Sequence, residues 1–337
     1  MRIIIFSKKH IFFIIFTFAI TFLFGEFIHN HSFTGDISTE QHISLDYKPK
    51  LQYSYVIDDY KLFDLVGIFD FQLLSDFENI EYEHELYRAW IRYCTAQTET
   101  RIGRQKINFG PAKILRNLRW FDTINHLDPR GESEGVSALL SRYYFLNNSN
   151  IWVWGIFGSN ELKGNETIAG KVNTLEPGFR IQVPFKSSEL AFSYHNRKRA
   201  DNLYENRLGL DIFCDYYLGM WSELSTTITA DSIDYLLTFG TDYTFPILSG
   251  LHLLAENNTD WQADEVINIS AVMIDLPIGL LDSISLTGLY NYQENISRFA
   301  LAWQRSYDRF SFNLSTLISD SNNESERDVK LILAYDF

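Results

Sequence analysis

Residues 328–337 read DVKLILAYDF, with Val329, Leu331, Leu333, Tyr335 and Phe337 on one side and Asp328, Lys330, Ala334 and Asp336 on the other. This alternation has the period of a β-strand with one apolar face. The last residues of a chain usually fray in water, so large apolar side chains placed there need a surface to cover them. The same period recurs upstream. FRIQVPF sets Phe179, Ile181, Val183 and Phe185 against Arg180, Gln182 and Lys186, and FDLVGIFDFQLL sets Phe63, Leu65, Phe69, Phe71 and Leu73 against Asp64, Asp70 and Gln72. RLGLDIFCD does the same with Leu208, Leu210, Ile212 and Cys214 against Arg207, Asp211 and Asp215.

Turn-forming clusters such as NNSN, ENNTD and SDSNNESERD separate these segments, and no helical period of roughly 10–15 residues recurs between them, so parallel βαβ units are not supported. The antiparallel alternatives are a soluble sandwich, a propeller and a membrane barrel. Aromatic residues make up 16% of the chain, and several cluster near strand ends on the apolar face: Tyr87 and Tyr93, Tyr290 and Tyr292, Trp303 and Tyr307. Rings at both edges of an apolar band suit two lipid–water interfaces, so the expected fold is an all-β, closed antiparallel transmembrane barrel. Closure is required because an open edge in hydrocarbon leaves backbone groups unpaired. Residues 26–337, at roughly 18–20 per tilted strand with its connection, give about 16 strands, with 18 as the alternative, in one domain.

The N-terminal stretch places Arg2, Lys8 and Lys9 before an uncharged run from Ile11 to Phe24, then Gly25 and the first acid, Glu26. That order is a secretory signal over residues 1–25, and the run is short of the roughly 20 residues that span a bilayer. Its removal takes three basic and no acidic residues from totals of 29 and 43, leaving a net charge of −17. So acidic a chain repels phosphate backbones, and no nucleic-acid partner is expected. Cys94 and Cys214 do not make a disulfide framework, and whether they pair is open.

The terminal LILAYDF resembles the last strand shared by outer-membrane barrels of Gram-negative bacteria. That resemblance implies an outer-membrane location, embedding in lipid and lipopolysaccharide, and recognition of Tyr335 and Phe337 by the barrel-assembly machinery. A homotrimer is expected by analogy with porins.

One stretch breaks the strand rhythm. RIGRQKINFGPAKILRNLRWFDTINHLDPRGESEG, residues 101–135, gathers Arg101, Arg104, Lys106, Lys113, Arg116, Arg119 and Arg130 in an otherwise acidic chain. Just before it, YRAWIRY sends Arg88 and Arg92 to the face opposite Tyr87, Ala89, Ile91 and Tyr93, the lumen face. Guanidinium groups inside a barrel create a field in which anions slow and orient, or they pair with lumen carboxylates such as Asp64, Asp70 and Asp211; both remain open. Arg101 and Arg104 fall on opposite faces, which calls for a bulge at Gly103 or a position at the rim. After Gly110 and Pro111, the spacing of Ile114, Leu118 and Phe121 predicts a short helix over or into the pore, in a connection long enough to constrict it.

GRQ, the following Gly110, WFD and LDP are together similar to porin-like barrels of the alginate-export and phosphate-selective groups. The resemblance implies a strand of R-x-G-R-Q type ahead of an arginine-bearing constriction, and it marks Arg101, Gly103, Arg104, Gln105, Gly110 and Asp122. The expected function is a porin-like channel for passive or weakly selective diffusion of small polar, anionic solutes. Its expected pore-lining residues are Arg88, Arg92, Arg101, Arg104, Gln105, Arg116, Arg119 and Asp122. The alternatives are a structural or assembly barrel without an open pore and a barrel-borne hydrolase. For the hydrolase, His84, His126, His195 and His252 have no local partner pattern and read as solvated loop or lumen residues. No catalytic group, metal or cofactor is expected: the His29–Asn30–His31 start would hold a metal only weakly, and Asp320, Glu324 and Glu326 would at most bridge lipopolysaccharide through divalent ions.

Overall fold

The computed structural model describes residues 26–39, 42–75, 79–124, 127, 133, 135–262, 265–321 and 325–337. The leader 1–25, His126, Arg130 and Glu324 lie outside them. The chain forms β1 (Glu26–Ser38), β2 (Ile43–Asp58), β3 (Lys61–Ser75), β4 (Ile80–Cys94), β5 (Thr98–Gln105), β6 (Val136–Tyr144), β7 (Asn150–Phe157), β8 (Leu175–Phe185) and β9 (Ser188–Lys198). It continues through β10 (Tyr204–Asp215), β11 (Gly219–Ile228), β12 (Ile233–Phe245), β13 (Leu251–Gln262), β14 (Glu265–Ile278), β15 (Asp282–Asn291), β16 (Ile296–Ser306), β17 (Phe310–Asp320) and β18 (Ser325–Asp336). Every strand pairs antiparallel with its sequence neighbours in one 18-stranded sheet, and β1 pairs with β18 to close it.

The strand number is 18, the larger of the two expected values, because the hairpins use fewer connecting residues than the average allows. Residues 59–60 and 186–187 suffice at the end that carries the termini, and 229–232 and 292–295 at the other. Phe337 locks the seam: its N–H donates to the His31 carbonyl at 2.9 Å, its carbonyl accepts from the His31 N–H at 2.7 Å, and its ring stacks on His31 at 5.0 Å. His29, Asn30 and His31 are therefore part of the closing strand.

Alternation along each strand sorts the side chains by face. On β10, Leu210 and Ile212 are exposed on the outer surface, while Glu205, Arg207 and Asp211 are buried inside. An outer surface of Leu, Ile, Phe and Tyr would be costly in water and is suited to hydrocarbon. Leu210→Arg is accordingly expected to destabilise the barrel in bilayers by roughly 2–4 kcal/mol, measured by denaturant titration in vesicles. A neutral effect would show that this face does not meet lipid.

One residue departs from the expected parity. The β3–β4 register shifts between Ile68 and Phe69, leaving Tyr87 as the extra residue opposite them. Tyr87 thus lies beneath Lys48 at 5.1 Å and Arg88 at 4.1 Å rather than with Ala89, Ile91 and Tyr93. Cys94 and Cys214 are both free thiols.

Candidate constriction site

Residues 106–135 connect β5 to β6. Their described stretch 106–124 turns into the lumen and reaches the opposite wall. Gly110, at φ 94° in the left-handed region, starts the crossing, and a Cβ there would collide with the Glu223 carboxylate. Beyond Pro111, the wall supplies the hydrogen-bond acceptors. Glu223 on β11 accepts from the backbone N–H of Ala112 and Asn117, each at 2.9 Å, and of Leu118 at 3.1 Å. Glu256 on β13 accepts from Lys113 at 2.6 Å, Ile114 at 2.9 Å and Leu115 at 2.6 Å, and from Trp221 Nε1 at 3.0 Å. Thr238 on β12 donates to the Leu115 carbonyl at 2.6 Å, and Asn258 donates to Asn117 Oδ1 at 2.7 Å.

These bonds explain why the predicted helix at 114–121 does not form. Successive N–H groups converge on two carboxylates, a nest-like anion cradle, instead of on carbonyls four residues earlier. The helical spacing of Ile114, Leu118 and Phe121 reflects packing instead. Leu118, Trp120 and Phe121 join Ile107 and Phe109 against Val136, Leu140, Trp154 and Ile156 in a hydrophobic core inside the barrel. The opposite side packs Ala112 against Trp221 and Leu254.

The second long connection, 158–174, also folds inward. Asn165 donates its N–H to the Arg119 carbonyl at 3.1 Å and accepts from Arg119 Nε at 2.8 Å. Beneath it lies a buried ionic cluster. Glu166 faces Arg197 at 3.1 Å, Lys163 at 3.6 Å and Arg207 at 3.7 Å, and Glu205 meets Arg197 and Arg207 at 2.7 Å each. Glu176 meets Lys163 at 3.2 Å, and its carboxylate is 3.7 Å from His195. His195 is fully buried, accepting from Trp154 Nε1 at 3.3 Å with Phe121 edge-on at 4.9 Å, and so is not the solvated residue expected from sequence.

The arginines expected to line the pore are held by partners. Arg92 binds Asp64, with Nε at 2.8 Å, and approaches Glu99 at 3.6 Å. Arg101 and Arg142 both reach Glu99, at 3.2 and 3.3 Å, and stack over Trp90 and Trp152. Arg88 donates to the carbonyls of Tyr87 and Ser133 and so holds the end of the crossing loop. Arg104 pairs with Glu161 at 3.3 Å and Glu85 at 3.8 Å at the upper end of β5; no register shift occurs there, so the rim position resolves the parity conflict. Arg116 makes a bidentate pair with Asp122 at 2.7 and 2.8 Å. Asp122 and Gln105 are fully buried, Gln105 donating to the Ala138 carbonyl at 2.9 Å, and both brace the loop instead of facing the passage. Burial lowers the Lys106 ammonium below the ordinary lysine value against the pull of Asp122, and it lowers Arg119 in the same way.

Sequence reading missed Glu223 and Glu256. Each is one inward acid in a strand of inward polar residues, and only its reach to the loop distinguishes it. Beside the loop lies a pocket of about 310 Å³, walled by Arg116, Asn117 and Arg119 on one side and Asn258, Ile269, Leu289 and Arg298 on the other.

The closed barrel fold has counterparts among solved structures. Pseudomonas aeruginosa OprD matches over 93% of this chain and 95% of that one, at 9% identity and a TM-score of 0.64. The chain has the fold of an outer-membrane porin. P. aeruginosa OpdK, solved with vanillate, matches over 93% and 98%, at 7% identity and a TM-score of 0.63. Salmonella typhi OmpF, in complex with daunomycin, matches over 93% and 98%, at 9% identity and a TM-score of 0.55. No family model and no curated protein matches the chain.

Proposed function

We propose that this porin-fold chain is an outer-membrane channel of a Gram-negative cell for passive diffusion of small polar solutes, favouring anions. The carrying observation is the stretch 112–118 after β5 latched across the lumen, which brings Arg116 and Arg119 to a pocket inside the barrel. A barrel of this strand number is too wide for its wall side chains alone to fill, so an inward loop sets the bore. Kinship with the alginate-export and phosphate-selective porins is part of the proposal, supported by the Arg101–Gln105 strand ahead of the arginine-bearing loop. So are export with loss of residues 1–25, recognition of Tyr335 and Phe337 by the assembly machinery, contact with lipopolysaccharide, and a trimer. A hydrolase is not favoured, since buried His195 cannot touch a substrate.

Planar-bilayer recording tests the reading. Discrete current steps are expected, with a reversal potential in a chloride salt gradient that indicates anion preference. Arg101→Ser with Arg119→Ser is expected to shift that potential toward cations. A silent barrel would favour the structural alternative, and an unmoved potential would remove the arginines from the pore role.

A further inference from the structure

We infer that the pocket beside the constriction loop selects small monoanions that carry an aliphatic body, with Arg298 as the charge-binding residue. This rests on the channel reading above and names its solute class.

Two observations converge. The first is charge. Most inward arginines are neutralised at close range: Arg92 by Asp64, Arg116 by Asp122, Arg180 by Asp211, and Arg197 and Arg207 by Glu205. Arg298 on β16 is exposed, lines the pocket, and makes no ion pair or side-chain hydrogen bond among the described residues. Among the described lining residues, the guanidiniums of Arg116, Arg119 and Arg298 stand with one carboxylate, Glu294, while Asp122 outside the lining pairs with Arg116. The described lining therefore carries an excess positive charge, which a monoanion would neutralise.

The second is the apolar lining. Leu289 is the register partner of Arg298, and Ile269 is the partner of Asn291 on the neighbouring strand, so β14–β16 carry an aliphatic patch beside the guanidinium. Ile296 extends that patch, and Ile114 and Leu115 face it from the loop. None of the described lining residues is aromatic, and the volume is about 310 Å³. Aliphatic side chains facing a water-filled passage gain free energy when an apolar solute covers them. An anion with a hydroxylated body would satisfy Arg298 but leave the patch wet, and a neutral hydrocarbon would leave Arg298 unpaired.

Permanently charged probes separate these effects without crossing the bilayer by themselves. In single-channel recordings, 1-hexanesulfonate is expected to interrupt the chloride current at a concentration about tenfold lower than methanesulfonate, from the added methylene burial. Arg298→Ser should weaken the block by both probes. Ile269→Asn with Leu289→Asn should abolish only the difference between them. Equal potency of the two sulfonates in the native channel, or block unchanged in Arg298→Ser, overturns this inference while leaving the channel reading intact. Absence of chloride current in the native barrel refutes both.

Discussion

A barrel carrying Glu223→Ala and Glu256→Ala is expected to conduct several-fold more current than the native one, with noisier open levels. The two carboxylates together hold the backbone of Ala112, Lys113, Ile114, Leu115, Asn117 and Leu118 against β11 and β13. A hydrogen bond to a charged acceptor contributes roughly 1.5–3 kcal/mol, so losing all of these outweighs the residual packing of Ala112 on Trp221 and Leu254. The strand ladders are untouched, so the barrel should keep its heat-modifiable mobility on gels. Glu223→Gln with Glu256→Gln should lie between, since an amide oxygen still accepts but without charge. Unchanged conductance in the alanine pair would show that loop position does not set the bore.

The second large effect belongs to Glu166. Its removal by Glu166→Ala leaves Lys163, Arg197 and Arg207 facing only Glu176 and Glu205 in a site closed to water, and an uncompensated buried charge costs about 3–5 kcal/mol. The connection 158–174 should relieve this by leaving the lumen and carrying its lysines into solvent. Lys163 is 4% exposed in the native fold, beyond the reach of a protease. Limited trypsin digestion in detergent should therefore cut the variant at Lys163 and spare the native chain at that bond. Resistance of the variant would mean that the aromatic packing around Phe121 and His195, and not the ionic cluster, secures this connection.

The barrel wall was legible because period two is a local property: Leu208, Leu210 and Ile212 announce the outer face whatever surrounds them. Closure followed from the chemistry of hydrocarbon, and the terminal Phe337 marked the seam. The strand number was less legible, since it depends on how tightly each hairpin turns. Tyr87 was misplaced because a bulge shifts parity without any glycine or proline to mark it. The lumen was harder to read. Residue type and parity placed Arg92 and Arg101 inside, but their neutralisation by Asp64 and Glu99 depends on cross-strand register. The loop misled most: Ile114, Leu118 and Phe121 carry a helical spacing, yet the partners that decide its backbone, Glu223 and Glu256, lie more than a hundred residues downstream. Arg298 attracted no notice, being one basic residue in an ordinary strand.

Both long connections, 106–135 and 158–174, arise at the same end of the barrel, and their described parts turn inward, while the other hairpins at that end close over a few residues. If that end faces the exterior, as longer loops do in such barrels, the cell shows little of either long connection. Antibodies, bacteriophage fibres and surface-acting enzymes would find the β3–β4 hairpin there, whose exposed residues 80–86 run beyond the last β4–β5 pair at Ala89 and Arg104. The segments with the richest chemistry would meet only what is small enough to enter the mouth.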